Sequence, residues 1–316
     1  MTEADKVKFA AIVRESIVQA QGREGGIGTL GEKRMHAMLK DYLSERGNQE
    51  IPVGVIEGGA AETVEAAGTA EATETAEATE TAKATETAEA TETAKAEASA
   101  KGQVSPIGET RTARKRAGFV ADVFDGTRIY EVQTGSFYPL RTKLAYYLSH
   151  TEYPVTVVHP VAAVKYLSWI DPATGEVSPS RRSPKKGRVQ DVAGELYWLI
   201  PFAASGRLSL RILLCEVREY RWRNGWGRDG KRGSERYERI PTALVDDVTL
   251  SAPSDFAAYF LPDSLPGTFT AVEYSRASGI CGKAAYGVLG LLTALGVLGE
   301  GGKRGRSKVW ERKEDS

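Results

Sequence analysis

Apolar positions recur at helical spacing over residues 3–20, where Val7, Ala10, Ala11, Val13, Ile17 and Val18 form a broad stripe. Gly22 to Gly28 breaks it. A second helix is predicted at 29–46, with Leu30, Met35, Met38, Leu39, Tyr42 and Leu43 at the same spacing and Gly47 closing it. Ile51 to Ile56 reads as a short strand. From Gly118 to Gln133 the period becomes two, the mark of a β-hairpin: Val120, Ala121, Val123 and Phe124 lead to Asp125-Gly126, and Arg128 to Gln133 lead away. Asp-Gly suits a type I′ turn, which needs positive φ at both central residues. A two-residue loop sets Phe124 opposite Thr127, Asp122 opposite Ile129 and Val120 opposite Glu131. A helix at 138–149 comes next, then apolar strands at 154–159 and 164–170, a helix at 189–202 and a strand at 208–217. Strands with little alternation after a helix fit a buried sheet reached by a crossover. Near the C-terminus, Thr270 is placed to cap a helix at 270–277. Gly279 turns, a second helix covers 281–295, and a basic Gly-rich loop at 299–307 precedes Lys308-Val309-Trp310.

Residues 57–103 break this pattern. Four hexads run from Ala72, alternating ATETAE and ATETAK, with no large apolar residue to bury. They read as a disordered or loosely helical insertion. The formal charge of zero therefore hides a division: residues 57–98 hold eleven Glu and two Lys, a net of −9, which leaves +9 for the remainder. A basic folded part tethered to an acidic segment points to a polyanionic partner. Cys215 and Cys281 lack CxxC spacing or a neighbouring His cluster, which excludes a disulfide framework or zinc site as the organising feature. No uninterrupted apolar run opens the chain, and Ala285 to Leu298 is too short and Gly-broken to span a bilayer. The expectation is a soluble, cytoplasmic protein.

The hairpin carries the sharpest chemistry. In the two-residue register Asp122, Glu131 and Gln133 share one face, and the two acids are diagonal neighbours roughly 7–8 Å apart. Carboxylates on an otherwise apolar strand face repel and resist desolvation unless a cation or donor stands between them. The same residues also read as a strand Asp near a turn and a Glu paired with an Arg.

At these positions the chain resembles the PD-(D/E)XK nuclease superfamily, which sets an Asp on one strand and an acid-x-Lys on the next to hold Mg²⁺. Asp122 matches the first acid and Glu131 the second. Gln133 stands where the Lys usually is, and Lys143 on the following helix is the candidate replacement. Glu32 matches an acid that several branches carry on the first helix; His36, one turn on, reads as a packed or surface histidine. Helix, strand, hairpin, helix, strand is also the core order of that superfamily. The resemblance implies an α/β fold, with a restriction-endonuclease-like mixed sheet flanked by helices. This domain comprises 1–56 and 104–250, interrupted by 57–103. It further implies Mg²⁺, or Mn²⁺ in its place, held by Asp122, Glu131 and the Val132 carbonyl, with Gln133 and Lys143 orienting water or phosphate.

Residues 251–316 resemble a small winged helix-turn-helix domain, which implies DNA contacts from Lys283, Tyr286, Lys303, Arg304 and Arg306. Arg181, Arg182, Lys185 and Lys186 lie in a basic Pro-flanked stretch, and Arg221, Arg223 and Arg228 interleave with Trp222 and Trp226. Arg and Lys pair with phosphate and Trp stacks on bases, although a solvated basic loop with tucked-in Trp side chains fits the same pattern. Two functions follow: a metal-dependent deoxyribonuclease, or an inactive nuclease fold serving as a DNA-binding regulator. The expected partner is DNA, with homodimerisation left open, no membrane and no small-molecule cofactor.

Overall fold

Strands β4 (Val155–Ile170) and β6 (Leu208–Trp222) lie parallel along almost their whole lengths, and the molecule is arranged on this pair. In the computed structural model the described residues are 1–21, 31–44, 49–52, 119–225 and 233–313. The expected insertion at 57–103 lies outside them. Beside β4 run β3 (Ile129–Val132), β2 (Val120–Phe124) and β1 (Gln49–Pro52), while β7 (Arg236–Leu250) flanks β6. The two-residue β5 (Arg181–Arg182) pairs with β4. This is an α/β fold with a seven-stranded sheet, mixed because β3, β4 and β6 are parallel and the other pairings antiparallel.

Alternation along the central strands divides the core into two layers, as side chains of period two must. Leu213, Cys215 and Val217 join Val132 and Val158 beneath α1 (Glu3–Gln21) and α2 (Gly31–Leu43), which supply Phe9, Val13, Met35, Met38, Leu39 and Tyr42. Leu210, Ile212 and Leu214 join Ile129, Val155 and Val157 beneath α3 (Leu140–His150). That second layer also holds two consecutive 3₁₀ helices, Val189–Gly194 and Leu196–Ser205. Each Val or Leu so buried contributes roughly 1.5–3 kcal/mol.

Four sequence expectations change here. The strands expected at 154–159 and 164–170 are one strand, with a bulge between Ala162 and Val164. Pro160 is tolerated because Val158, two residues before, accepts Gln133 N–H on the side where β3 then ends; Pro160's missing donor faces that vacated side. The helix expected at 189–202 is a pair of 3₁₀ helices with Pro201 inside the second. Residues 218–222 and 236–239, read as loop, belong to β6 and β7. In the hairpin, Phe124 pairs with Ile129 and Val123 with Tyr130, two residues from the expected register.

The C-terminal part follows as α4 (Pro253–Phe260), β8 (Thr268–Thr270), α5 (Ala271–Ser278), α6 (Gly282–Ala294), β9 (Leu298–Arg304) and β10 (Ser307–Arg312). The strands form a small sheet of order β8-β10-β9. Thr270 caps α5 as expected: its Oγ1 accepts from Glu273 N–H while Glu273 returns to Thr270 N–H at 2.7 Å. Gly279 turns at φ 74°, a conformation that favours glycine. The core is continuous from Leu196 and Leu199 into Val288, Leu289, Leu291 and Leu292 of α6. Glycines permit this approach, since a Cβ on Gly287 would lie 3.2 Å from the Tyr197 Cβ. Among the described residues no helix is long and apolar enough to cross a membrane.

Candidate active site

The hairpin's register is set by Asp125, whose Oδ1 accepts from Thr127 N–H and Arg128 N–H at 2.8 Å each. An Asp side chain that satisfies the backbone two and three residues on draws Thr127 and Arg128 into the loop. The slipped backbone ladder runs only through Phe124–Ile129 and Val123–Tyr130 and stops before Asp122 and Glu131. There the side chains take over the ladder. Val132 N–H donates to Asp122 Oδ2 at 2.9 Å, and Asp122 N–H to Glu131 Oε1 at 3.3 Å.

The acids are then gripped from opposite layers, not displayed together on one face as the sequence suggested. Asp122 turns to α2, where His36 Nε2 stands 3.2 Å from Oδ2 and Lys40 Nζ 3.4 Å from Oδ1. Lys40 is nearly enclosed and bonds Glu50 at 2.9 Å. Glu131 turns to α3 and is only 1% exposed. Lys143 Nζ donates to its Oε2, and the Tyr147 hydroxyl to its Oε1, both at 2.8 Å. Lys143 also reaches the Val120 carbonyl at 2.9 Å.

These partners separate the two carboxyls. Burial pushes Asp122 up, but the His36 bond and charge, with Val132 N–H, outweigh it and hold the group below the usual Asp value. Burial and the Asp122 charge push Glu131 above the usual Glu value, against Lys143 and Tyr147. Burial likewise opposes the Lys40 charge, yet Glu50 and Asp122 raise its pKa overall. One acid is a committed carboxylate. The other, Glu131, is held by Lys143 and Tyr147 against its burial.

Gln133 does not join them. Its amide donates to the Ser136 carbonyl at 2.6 Å, in the loop leading from β3 to α3. Glu32 lies on α2, but its side chain falls outside the described residues. Among the described residues no group of three or more His, Cys, Asp or Glu side chains is arranged to hold a metal ion. Mg²⁺, however, takes few protein ligands and keeps its waters. Asp122 Oδ1 meets Lys40 at a loose 3.4 Å and retains lone pairs, which suits a hard cation.

The basic candidates divide by how firmly they are tied. Arg181, Arg182, Lys185 and Lys186 are exposed beside β4, the last two on a stretch pinned by Gly187, where a Cβ would meet the Ala162 carbonyl oxygen at 2.3 Å. Arg223 is exposed at the end of β6, and Arg228 lies outside the described residues. Arg221 is already engaged: with Lys165 and Arg239 it surrounds Glu219, which is fully buried. Lys283 and Tyr286 are exposed on the first turns of α6, and Lys303 and Arg306 at the β9–β10 turn. Arg304 there pairs with Glu273 at 2.9 Å.

Sequence reasoning passed over Lys40 and Tyr147 and assigned His36 no role at Asp122. Helical spacing held the signal. His36 and Lys40 are four apart on α2, and Lys143 and Tyr147 four apart on α3, so each pair presents two polar ends to one strand. Lys40 sits within the apolar run of α2, a place where a lysine requires a buried partner.

A family described as Domain of unknown function (DUF8091) matches residues 101–251, slightly under half of the chain, and the match ends just beyond β7. No curated protein and no solved structure matches the chain.

Proposed function

We propose that this chain is a DNA-binding protein whose sheet domain is a metal-dependent nuclease of the PD-(D/E)XK kind, guided by a C-terminal winged helix. One observation carries the reading. In the order α2-β1-β2-β3-α3-β4, Asp122 and Glu131 lie on paired strands, Asp122 N–H donates to Glu131 Oε1 at 3.3 Å, and a lysine from the following helix lies 2.8 Å from that glutamate. This is the order the resemblance requires, and Lys143 supplies the cation that Gln133 lacks. The order α4-β8-α5-α6-β9-β10 supports the winged helix in the same way, with Lys303 and Arg306 at the tip of the wing.

Asp122 and Glu131 would hold Mg²⁺, which when bound lowers the pKa of its water and offsets charge on phosphate. The chain's own groups do the remaining work. Asp122, kept ionised by His36 and Val132 N–H, is the standing anionic ligand. Lys143 fixes Glu131 and places a positive charge where a phosphate oxygen gains charge during cleavage. Tyr147 fixes the other oxygen of Glu131.

The second reading, an inactive fold that binds DNA as a regulator, is favoured by Lys40, which stands against Asp122, and by Gln133, which turns to Ser136. Cleavage of labelled duplex and single-stranded DNA with Mg²⁺, Mn²⁺ or chelator separates the two readings. The nuclease predicts metal-dependent cutting that Asp122→Ala and Glu131→Ala abolish while DNA affinity persists. Binding without cutting by the unaltered protein would sink the nuclease and leave the regulator.

A further inference from the structure

Four aromatic and cationic side chains outside the acid site form one surface cluster, in which Tyr138 and Tyr197 are exposed and Trp198 and Arg141 half-buried. Tyr138 and Tyr197 are 54% and 56% exposed, although their neighbours Phe137 and Leu196 are fully buried. Trp198 stands edge-on to both, its ring 5.0 Å from Tyr138 at 73° and 5.0 Å from Tyr197 at 79°. The Arg141 guanidinium lies over Tyr138 at 4.1 Å and Trp198 at 5.1 Å. The edge contacts hold the rings in fixed orientations, and Arg141 takes one face of Tyr138 while that ring stays 54% exposed.

The cluster is built in, and it is tied to the acid site. Glu195 accepts from Ser136 Oγ at 2.9 Å and Phe137 N–H at 2.7 Å. That clamp fixes the segment leaving Glu131 against the 3₁₀ helix that presents Tyr197 and Trp198, and it occupies the neighbouring acid. Arg141 lies two residues before Lys143 on α3. Gly287 of α6 backs onto Tyr197, and the residue before it, Tyr286, is 59% exposed.

We infer that Tyr138, Tyr197 and Trp198, with Arg141, form a stacking platform for the unpaired bases of single-stranded DNA, which defines the substrate class of the proposed site. Each ring face left open accepts any base, and Arg141 provides positive charge beside the rings for the backbone. A duplex keeps its base faces stacked on one another, so it cannot use such a platform along its length. The inference rests on the reading of the protein as a DNA binder.

The test measures affinity of the full chain by fluorescence anisotropy. The probes are labelled oligo(dT), an abasic strand of equal length, and a duplex of equal length. The variants are Tyr138→Ala, Tyr197→Ala and the ring-preserving Tyr138→Phe. The platform predicts that oligo(dT) binds more tightly than the abasic strand and weakens about tenfold with each Ala variant. Tyr138→Phe stays near the unaltered protein, and duplex affinity does not move. Equal affinity for the oligo(dT) and abasic strands, unchanged oligo(dT) binding in the Ala variants, or no oligo(dT) binding would each overturn it. Loss of metal-dependent cutting leaves these affinities unaltered, so failure of the nuclease and failure of the platform are read separately.

Discussion

Lys143 Nζ lies 2.8 Å from Glu131 Oε2 and 2.9 Å from the Val120 carbonyl, so one helical cation ties together the two strands that carry the acids. Removing it leaves an almost wholly buried carboxylate without its cation. Lys143→Ala is expected to cost about 3 kcal/mol in urea denaturation at neutral pH. The sign with pH is definite. Glu131 already has a raised pKa, so its ionised form is the one the fold disfavours, and losing Lys143 raises the pKa further. The penalty is therefore largest at neutral pH and shrinks as pH falls toward the usual Glu range. A deficit independent of pH would show that Lys143 acts through packing alone. Lys143→Met combined with Glu131→Gln should recover most of the loss.

Glu219 has the opposite sign. Burial raises it, but Arg239, Lys165 and Arg221 prevail and hold its pKa at about 2, below the model-compound value of 4.5. The stability it contributes is complete above 4.5 and is lost as pH falls from there through about 2. Glu219→Gln is expected to cost about 3 kcal/mol at pH 7, since it strands three cations. It should also flatten the acid limb of a stability-against-pH curve. An unchanged acid limb would show that the cluster is already broken in solution.

Gly287 and Gly290 make separate claims about the seam between α6 and the second 3₁₀ helix. A Cβ at Gly287 meets the Tyr197 backbone nitrogen at 3.3 Å, whereas at Gly290 it meets the movable end of Ile200 at 2.9 Å. Gly287→Leu should overpack the seam and cost about 1–3 kcal/mol by thermal melting. Gly290→Ala should be nearly neutral, because Ile200 can rotate and alanine favours helix by about 1 kcal/mol. The reverse ranking would refute this packing.

Because α6 belongs to the same core as the sheet, deleting 262–316 is expected to abolish cooperative folding rather than excise a free module. The wing must be tested by point changes. Lys303→Ala and Arg306→Ala are each expected to reduce the slope of log affinity against log salt by about 0.9 for duplex DNA. An unaltered slope in the double variant would remove the wing from the interface.

The sequence by itself determined the elements that depend on neighbours along the chain. Period two made the strands around Asp122 and Glu131, period 3.6 made α2, α3 and α6, and Thr270 with Glu273 made a cap. These signals are local and need no knowledge of the partner. The tertiary structure decided what acts at long range or overrides a local rule. Asp125 capped its own loop and moved the hairpin by two residues, and beyond Val123 the side chains of Asp122 and Glu131 replaced the backbone ladder. The end of β3 let Pro160 remain inside a central strand. Packing of α2 and α3 on opposite layers chose which cations meet which acid. His36 reaches Asp122 across a separation of 86 residues, and no spacing within α2 encodes that contact. Arg221, read as a phosphate ligand from its basic neighbourhood, was claimed by Glu219 two residues before it, because on a strand two residues share one face. Chemistry-bearing residues are visible in a sequence; which of them meet is fixed by register and layer.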